Sequence, residues 1–210
     1  MTKLEYIKNP ARMASLPFWK EQRYENSNTV KIVHEEMYQV ADFNNYEKKH
    51  YFKLIHRLKE IPQQTVDSSL FIDVIKEDQI EFVAYFINQC YKNIWVSREE
   101  VEKWMKERVY SPTTWVTVSK KGVGIIALGI ADYDTDVKEG IFEWIQVLPE
   151  YQGKGIGTIL VTELLLRLKD MSADFVTVCG DLENETNPLR LYQGCGFAEK
   201  NVWHILSPII

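Results

Sequence analysis

One stretch of the sequence limits the fold more than any other: a short apolar run, then a glycine-rich segment, then a run of leucines. Ile141–Val147 is rich in β-branched and aromatic residues, which favours a β-strand. Pro149 ends that strand because proline cannot donate to a strand ladder. Apolar residues at helical spacing follow: Ile159, Leu160, Leu164, Leu165 and Leu168. The stretch therefore predicts a strand, a glycine loop and a helix, in that order.

The segment Gln152–Thr158, called the glycine loop below, has the sequence QGKGIGT. The first turn of a helix has backbone N–H groups without intrahelical partners, and the helix dipole adds partial positive charge there. Glycines leave room for an anion to approach such amides, and Lys154 adds a full positive charge. The loop predicts a site for a phosphate or pyrophosphate group. The alternative is a surface turn that only caps the following helix.

Two other kinds of phosphate-binding loop do not fit this spacing. A P-loop has Lys followed by Ser or Thr after its last glycine, whereas Lys154 lies between glycines. A dinucleotide-binding loop needs a third glycine where this chain has Thr158, and an acidic residue at the end of the following strand. Asp170 and Asp174 are near the right distance, but they precede the next predicted strand.

Two motifs taken together resemble those of the GNAT N-acetyltransferase superfamily. The first is Gln-x-x-Gly-x-Gly in the glycine loop, after Val-Leu-Pro-Glu-Tyr, which resembles the coenzyme A loop of that family. The second is the segment 187–197, NPLRLYQGCGF, which resembles the family's short helix with a tyrosine just before Gly-Phe. The motifs have the family's order and separation, and the resemblance covers residues 70–210.

The resemblance implies the GNAT fold, an α/β (α+β) fold whose mixed, mostly antiparallel sheet has splayed fourth and fifth strands and helices on both faces. It implies acetyl-CoA as co-substrate, its pantetheine arm pairing with the strand edge at Ile145, Gln146 and Val147 like an added strand. Asn184 or Asn187 is expected to add a side-chain contact. The residues expected to bind the pyrophosphate are Gln152, Gly153, Lys154, Gly155, Ile156, Gly157 and Thr158.

Two side chains are candidates for proton transfer. A lysine-like amine has a pKa of about 10.4 and must lose a proton before it attacks a thioester, so a base or a water chain is needed. Strand alternation places Ile141, Glu143, Ile145 and Val147 on one face, which makes Glu143 the candidate base. The alternative is a solvated glutamate. By resemblance, Tyr192 lies near the cofactor sulfur and protonates the leaving thiolate; otherwise it is a core tyrosine.

In this fold the first two helices shape the acceptor pocket, and four aromatic residues lie on or beside them: Tyr85, Tyr91, Trp95 and Trp104. Most of these are expected in the core, with one or two lining the substrate site. The histidines His34, His50, His56 and His204 have no metal-ligand spacing, so no metal site is predicted.

Charge and cysteine content exclude several classes of function. The net charge is −5 over 210 residues, so the chain lacks the basic footprint of a nucleic-acid-binding protein. Three cysteines without metal spacing are expected as reduced thiols. The first residues lack the apolar core of a secretory signal, and no run has the length of a membrane span. We expect a cytoplasmic protein that binds neither nucleic acid nor membrane.

The chain is expected to have two parts. Residues 1–67 form an N-terminal extension of unknown role, with a helix starting at Pro10 and a strand at Val30–Val33. The segment Tyr51–Leu58 fits both a strand and a helix with Tyr51, Leu54, Ile55 and Leu58 on one face, and the strand is favoured. Residues 68–210 form the GNAT domain. Its predicted elements are a strand Leu70–Ile75, helices Glu77–Tyr91 and Arg98–Val109, a hairpin Trp115–Val118 with Gly124–Ala131, the strand–loop–helix stretch, a strand Phe175–Cys179, a short helix near Asn187–Gln193 and a final strand pair around Phe197–Leu206.

The sequence and the resemblance together favour an N-acetyltransferase that transfers the acetyl group of acetyl-CoA to a primary amine of a small molecule, directly, in a ternary complex. The expected partner is this small amine, and a homodimer is left open. The alternatives are transfer to a peptide or protein N-terminus or lysine, and a catalytically inactive module that binds acyl-CoA. Assays of turnover on an amine panel separate the enzymes from the inactive module.

Overall fold

The computed structural model describes residues 1–23, 30–39, 43–91 and 94–209. The chain divides into two compact units, which we call the terminal unit (Met1–Arg57 with Thr177–Ile210) and the central unit (Leu58–Val176). The helices and strands are, in chain order, α1 Lys3–Lys8, α2 Pro10–Met13, α3 Phe18–Glu21, β1 Lys31–His34, β2 Tyr46–His56, β3 Leu70–Val74, α4 Ile80–Cys90, α5 Arg98–Trp104, β4 Trp115–Lys120, β5 Gly124–Asp134, β6 Glu139–Val147, α6 Ile156–Asp170, β7 Phe175–Asp181, α7 Pro188–Gly194 and β8 Ala198–Pro208.

The central unit is built on four consecutive antiparallel strands, β3 to β6, each paired with the next. Helix α6 follows β6 and packs against one face of this sheet. An ideal Cβ on Gly129 would lie 2.8 Å from Leu160 Cδ1, and one on Gly140 would lie 2.6 Å from Leu168 Cδ1. Glycine at these two positions lets the helix approach the strands closely. The predicted strand, loop and helix are confirmed.

Helices α4 and α5 supply the apolar side chains for the opposite face. The buried cluster there includes Val83, Phe86 and Ile87 of α4, Val101 of α5, and Trp115, Leu128 and Ile130 of the sheet. Ser97 begins α5 with a capping box, as predicted. The helix ends at Trp104 rather than at Val109, because the next backbone bonds, from Lys106 N to Lys103 O and from Glu107 N to Trp104 O, tighten the chain into three-residue turns.

A β-bulge in β6 changes which side chains share a face. Ile130 of β5 lies opposite Trp144, but the next residue, Ala131, lies opposite Phe142, so Glu143 is an extra residue in β6. Ile141 therefore shares a face with Asp132, whereas Ile145 pairs with Gly129 and takes the face that contacts α6. The prediction that Ile141, Glu143, Ile145 and Val147 all point one way is wrong, because strand alternation is interrupted at Glu143.

The terminal unit is also organised around antiparallel strands. Both β1 and β2 pair with β8, and β2 is followed in the strand order by β7. The predicted final strand pair around Phe197–Leu206 is instead the single strand β8, because its whole length is paired with strands from the first 57 residues. The predicted strands at Val30–Val33 and Tyr51–Leu58 are confirmed as β1 and β2. The division of the chain into an extension of residues 1–67 and a domain of residues 68–210 stays a prediction.

A buried lysine connects the N-terminal helices of this unit to β2. Lys53 is 1% exposed. Its Nζ donates to Ala14 O at 2.9 Å, to Leu16 O at 2.8 Å and to Tyr6 Oη at 3.2 Å. A buried ammonium is tolerated when its donors are satisfied in this way, since an unpaired one would carry a large desolvation cost. The N-terminal helices are thus fixed by one cation as well as by apolar packing.

Candidate active site

The glycine loop turns sharply into α6. Gly153 and Gly155 have positive φ values of 71° and 80°, and Gly155 is the residue that caps the start of the helix. This left-handed conformation favours glycine at both positions. The helix begins at Ile156, so Gly157 and Thr158 lie in its first turn rather than in the loop. The first backbone bond of the helix runs from Ile159 N to Gly155 O at 3.1 Å.

The start of α6 fits an anionic group. The N–H groups of Ile156, Gly157 and Thr158 precede the first intrahelical bond, and no side chain among the described residues caps them. A Cβ on Gly153 or Gly155 would meet no described atom within 4 Å, so there is open space at the two glycines that precede these amides. Several donors, a positive dipole end and free space are the features of a phosphate site.

Two polar side chains of the loop contact its own backbone. Gln152 Nε2 donates to Val147 O at 3.1 Å, which ties the loop to the end of β6. Lys154 Nζ donates to Glu150 O at 2.8 Å and lies 5.2 Å from the ring centroid of Tyr151. Both side chains hold the turn in shape, and the Lys154 ammonium lies against the preceding turn, at Glu150 and Tyr151.

Lys120 was not foreseen as part of this site. Its Nζ lies 5.7 Å from the same Tyr151 ring that Lys154 covers, so two ammonium groups lie beside the loop. The sequence places Lys120 at the end of a hairpin strand, more than 30 residues before the loop. Only the pairing of β4 with β5 and of β5 with β6 brings it here, so no local pattern could have found it.

The end of β6 lies next to the loop and presents different side chains on its two faces. Ile145 and Val147 pair with Gly129 and Ala127 on the face that contacts α6. Gln146 lies on the other face, where its Nε2 donates to Tyr91 Oη at 2.9 Å. Burial raises the pKa of the Tyr91 phenol, so it stays neutral and can accept this bond.

Three aromatic rings surround the half-buried middle of β6. Trp144 stacks on Trp104, with ring centroids 5.6 Å apart and an interplanar angle of 27°. Trp144 and Tyr91 meet edge to face, with ring centroids 5.9 Å apart and an interplanar angle of 75°. Glu143, the bulge residue, is half-buried directly before Trp144. Of the four aromatic residues expected near an acceptor pocket, Trp104 and Tyr91 are half-buried, whereas Tyr85 and Trp95 are exposed and do not belong to the core.

Tyr192 lies in the terminal unit, on α7. It is 6% exposed, and its ring packs on Phe197 at 5.6 Å and on Phe52 at 6.2 Å. The backbone of the following turn bonds back to it, since Phe197 N and Cys195 N both donate to Tyr192 O. The tyrosine is therefore held rigidly, and its acid role stays a prediction.

Asn184 and Asn187 shape the chain that leads into α7. Asn184 Oδ1 accepts from Thr186 N at 3.0 Å and from Thr186 Oγ1 at 2.8 Å. Asn187 has a positive φ of 48° and caps α7 by accepting from Arg190 N. Both side-chain oxygens thus have a local structural use, and a contact from either to a cofactor stays a prediction.

The structure brings together the predicted residues of the central unit: Glu143, the β6 segment Ile145–Val147 and the glycine loop are consecutive around one strand end. No group of three or more metal-ligating side chains occurs among the described residues. His50 Nδ1 and His204 Nδ1 are 2.8 Å apart in the terminal unit, but they form a pair only. No described helix combines the length and apolar character needed to span a membrane.

Comparison with a family model identifies the region that contains these features. Residues 111–199 match the model described as "Acetyltransferase (GNAT) domain". This match spans β4 to β7, the glycine loop and α7, and so covers both motifs quoted from the sequence.

Residues 111–199 form a GNAT acetyltransferase domain.

Solved structures share the GNAT fold over more of the chain. A GCN5-related N-acetyltransferase from Sphaerobacter thermophilus has a TM-score of 0.70 at 13% identity, over 91% of this chain and 64% of that one. The ribosomal-protein-S18-alanine N-acetyltransferase of Escherichia coli has a TM-score of 0.53 at 17% identity, over 67% of this chain and 94% of that one. A functionally unknown conserved protein from Staphylococcus epidermidis has a TM-score of 0.60 at 13% identity, over 100% of this chain and 82% of that one.

These identities show the fold alone. The predicted fold class, a mixed and mostly antiparallel sheet with surrounding helices, is confirmed. The chain spans less than two thirds of the length of the Sphaerobacter protein. A sequence search among curated proteins gave no significant match. The family of the domain supports acyl transfer, and the expected splay of β6 from β7 stays a prediction.

Proposed function

We propose that this chain is an N-acetyltransferase that transfers the acetyl group of acetyl-CoA directly to a primary amine of a small molecule. The observation that carries the proposal is the uncapped first turn of α6 behind two left-handed glycines, within a GNAT domain. First-turn amides without a side-chain cap are free to bind water or an anion, and the helix dipole favours the anion. The negative net charge and the three cysteines, none of which forms a disulfide, support a cytoplasmic enzyme without a nucleic-acid partner.

The residues that would hold acetyl-CoA are those around the end of β6. Amides of Ile156, Gly157 and Thr158 would bind the pyrophosphate, with Lys154 adding charge. The strand edge at Ile145–Val147 would pair with the amides of the pantetheine arm. When bound, acetyl-CoA supplies a thioester, whose acyl carbon is open to attack by an uncharged amine.

Glu143 is proposed as the group that receives the amine proton. The bulge places it at an interruption of the β5–β6 ladder, where a strand is re-aimed and side chains often serve an active site. An alkylamine with a pKa of about 10.4 is almost wholly protonated at neutral pH. A carboxylate beside it stabilises the ammonium on arrival and accepts one of its protons before attack, which leaves the nitrogen with the lone pair that forms the new C–N bond.

Tyr192 is proposed as the acid that donates a proton to the departing thiolate. Replacing it with phenylalanine keeps the packing on Phe52 and Phe197 but removes the donor, so kcat should fall by about 100-fold. The affinity for acetyl-CoA should change little. Steady-state kinetics with calorimetry check both quantities, and Tyr85→Phe, at an exposed site on α4, is the control. An unchanged kcat would remove the acid role.

Replacing Thr158 with glutamate tests the anion site itself. A carboxylate in the first turn favours the helix, because it complements the dipole, so thermal stability should be kept or slightly raised. The same charge would lie beside a bound pyrophosphate, where two charges about 4 Å apart repel strongly. The dissociation constant for acetyl-CoA should therefore rise by about 30-fold, as measured by isothermal titration calorimetry.

The matched control is Thr158→Gln, because glutamine has the size of glutamate without its charge. This variant should bind acetyl-CoA nearly as the unmodified chain does. If the glycine loop were only a helix-capping turn, both variants would bind acetyl-CoA equally or not at all. Two alternatives to the proposal have their own readouts. Release of free thiol with peptides only would indicate a peptide acetyltransferase, and tight binding without thiol release would indicate an inactive acyl-CoA-binding module.

A further inference from the structure

The side chains beside Glu143 form a continuous aromatic surface, which we call the aromatic wall and which consists of Tyr91, Trp104 and Trp144. Trp144 is its centre, because it contacts the other two rings at 5.6 Å and 5.9 Å. All three residues lie in the central unit, and all three are half-buried. Each residue therefore packs on the core and keeps part of its surface accessible.

The aromatic wall is fixed in position by its neighbours. Trp104 covers one face of the Trp144 ring, and the edge of that ring meets Tyr91. Tyr91 is itself held by the bond from Gln146 Nε2 to its hydroxyl. Rings fixed in this way lose little conformational entropy when a ligand packs on them, so the surface is pre-organised for binding.

The bulge places this wall directly beside the proposed base. Glu143 and Trp144 together oppose the single residue Ile130, so the two residues occupy the same point of the β5–β6 ladder. Trp144 is therefore the neighbouring surface for the group that carries an amine bound at Glu143. The group next to the amine then decides how well the molecule binds.

The surroundings of the wall are apolar. The half-buried side chains packed on the same cluster include Ile80, Phe82, Cys90, Met105 and Leu148. Burial raises the pKa of the Cys90 thiol to about 11, so it is neutral at physiological pH. The amide nitrogen of Gln146 is already bonded to Tyr91. Such a surface suits an apolar body attached to a cation, and it suits poorly a peptide backbone, whose amides would lose water against apolar side chains.

We propose that the acceptor is a monoamine carried on an apolar body of aromatic size, an arylalkylamine or a comparable alkylamine, with its body packed on Trp144 and its nitrogen at Glu143. This inference rests on the proposed function, because it places the acceptor at the same strand. An aromatic ring on an ammonium-bearing chain gains both buried apolar area and ring–ring contact at this wall.

The first experiment compares amines on the full chain saturated with coenzyme A. The probes are 2-phenylethylamine, ethylamine, spermidine and a tri-alanine peptide, titrated by calorimetry. Burial of a phenyl group at roughly 25 cal/mol per Å² predicts that 2-phenylethylamine binds about 30-fold more tightly than ethylamine. Tighter binding of spermidine or of the peptide, or equal affinities for the first two amines, would overturn the inference.

The second experiment removes the wall's central ring. Trp144→Leu should reduce the preference for 2-phenylethylamine over ethylamine to about threefold, whereas Trp144→Phe should keep most of it. Phe71→Ala is the matched control, because Phe71 is an aromatic residue on β3 that is 52% exposed and does not belong to the aromatic wall. This variant should keep the full preference for 2-phenylethylamine over ethylamine. Thermal melting checks that each variant is folded. If Trp144→Leu does not fold, the Trp144→Phe variant and the comparison of amines on the unmodified chain still test the inferred acceptor class.

The same panel separates this inference from the proposed function. Thiol release with spermidine or peptide in preference to 2-phenylethylamine would keep the acetyltransferase and overturn the acceptor class. A binding preference for 2-phenylethylamine that depends on Trp144, without thiol release from acetyl-CoA on any amine, would keep the aromatic acceptor site and overturn the catalytic function.

Discussion

Replacing Glu143 with glutamine should lower kcat by about 1,000-fold at neutral pH while acetyl-CoA binds as before. The amide has nearly the size of the carboxylate but cannot accept the proton that an ammonium must lose before its nitrogen attacks. The measurement is steady-state kinetics on the best amine, with calorimetry for acetyl-CoA. Loss of kcat without loss of co-substrate affinity identifies a group that acts in the chemical step rather than in binding the co-substrate.

The pH dependence of this variant gives a second readout. An amine with a pKa of about 10.4 becomes uncharged on its own as the pH rises, so the variant should regain activity relative to the unmodified chain between neutral and alkaline pH. Glu81→Gln, at an exposed position of α4 in the same unit, is the control and should keep full activity. A deficit that stays constant with pH, or an unchanged kcat, would contradict the role of Glu143 as base.

Replacing Arg108 with alanine should cost the fold about 3 kcal/mol. Asp134, at the end of β5, has a side chain that is 0% exposed and accepts from Arg108 Nη1 at 2.8 Å and from Nη2 at 3.0 Å. These hydrogen bonds to Asp134 also raise the pKa of the Arg108 guanidinium. Removing the cation leaves a buried carboxylate without its countercharge, which is among the most costly single changes.

The expected cost lies at the lower end for a buried pair because the Arg108 side chain is 36% exposed, and water already screens part of the interaction. For a chain of this size the loss corresponds to a fall in Tm of about 6–12 °C, measured by calorimetric or circular-dichroism melting. Arg98→Ala removes an exposed ion pair with Glu102 on α5 and is the matched control, expected to change Tm very little. Equal effects of the two substitutions would show that Asp134 does not need this partner.

The sequence alone could not predict which acidic residue forms the buried ion pair with Arg108. Asp132, Asp134, Asp136 and Glu139 all lie near the turn between two predicted strands, and nothing in their order separates buried from exposed carboxylates. The structure buries Asp134 and leaves Asp136 exposed, because the first lies within the paired part of β5 and the second lies in the turn. Burial here follows from strand pairing, which sequence neighbours do not encode.

Prediction from the sequence succeeded where the determining interactions are local. A β-branched run, a proline, closely spaced glycines and leucines at helical spacing were enough to predict β6, the glycine loop and α6. The order of these elements, with the tyrosine motif of α7, was enough to indicate the GNAT family, which the family model confirmed for residues 111–199. The start of α5 was also readable, because a capping box is formed by residues three positions apart.

The sequence by itself determined the strand–loop–helix unit and the open amides at the start of α6, since each depends on residues within a few positions of one another. Only the tertiary structure decided that Glu143 is a bulge residue, that Trp144 stands beside it against Trp104 and Tyr91, and that β8 pairs with strands from the first 57 residues. The physical reason is that register is set by contacts between distant strands. One extra residue in one strand exchanges the faces of every side chain beyond it.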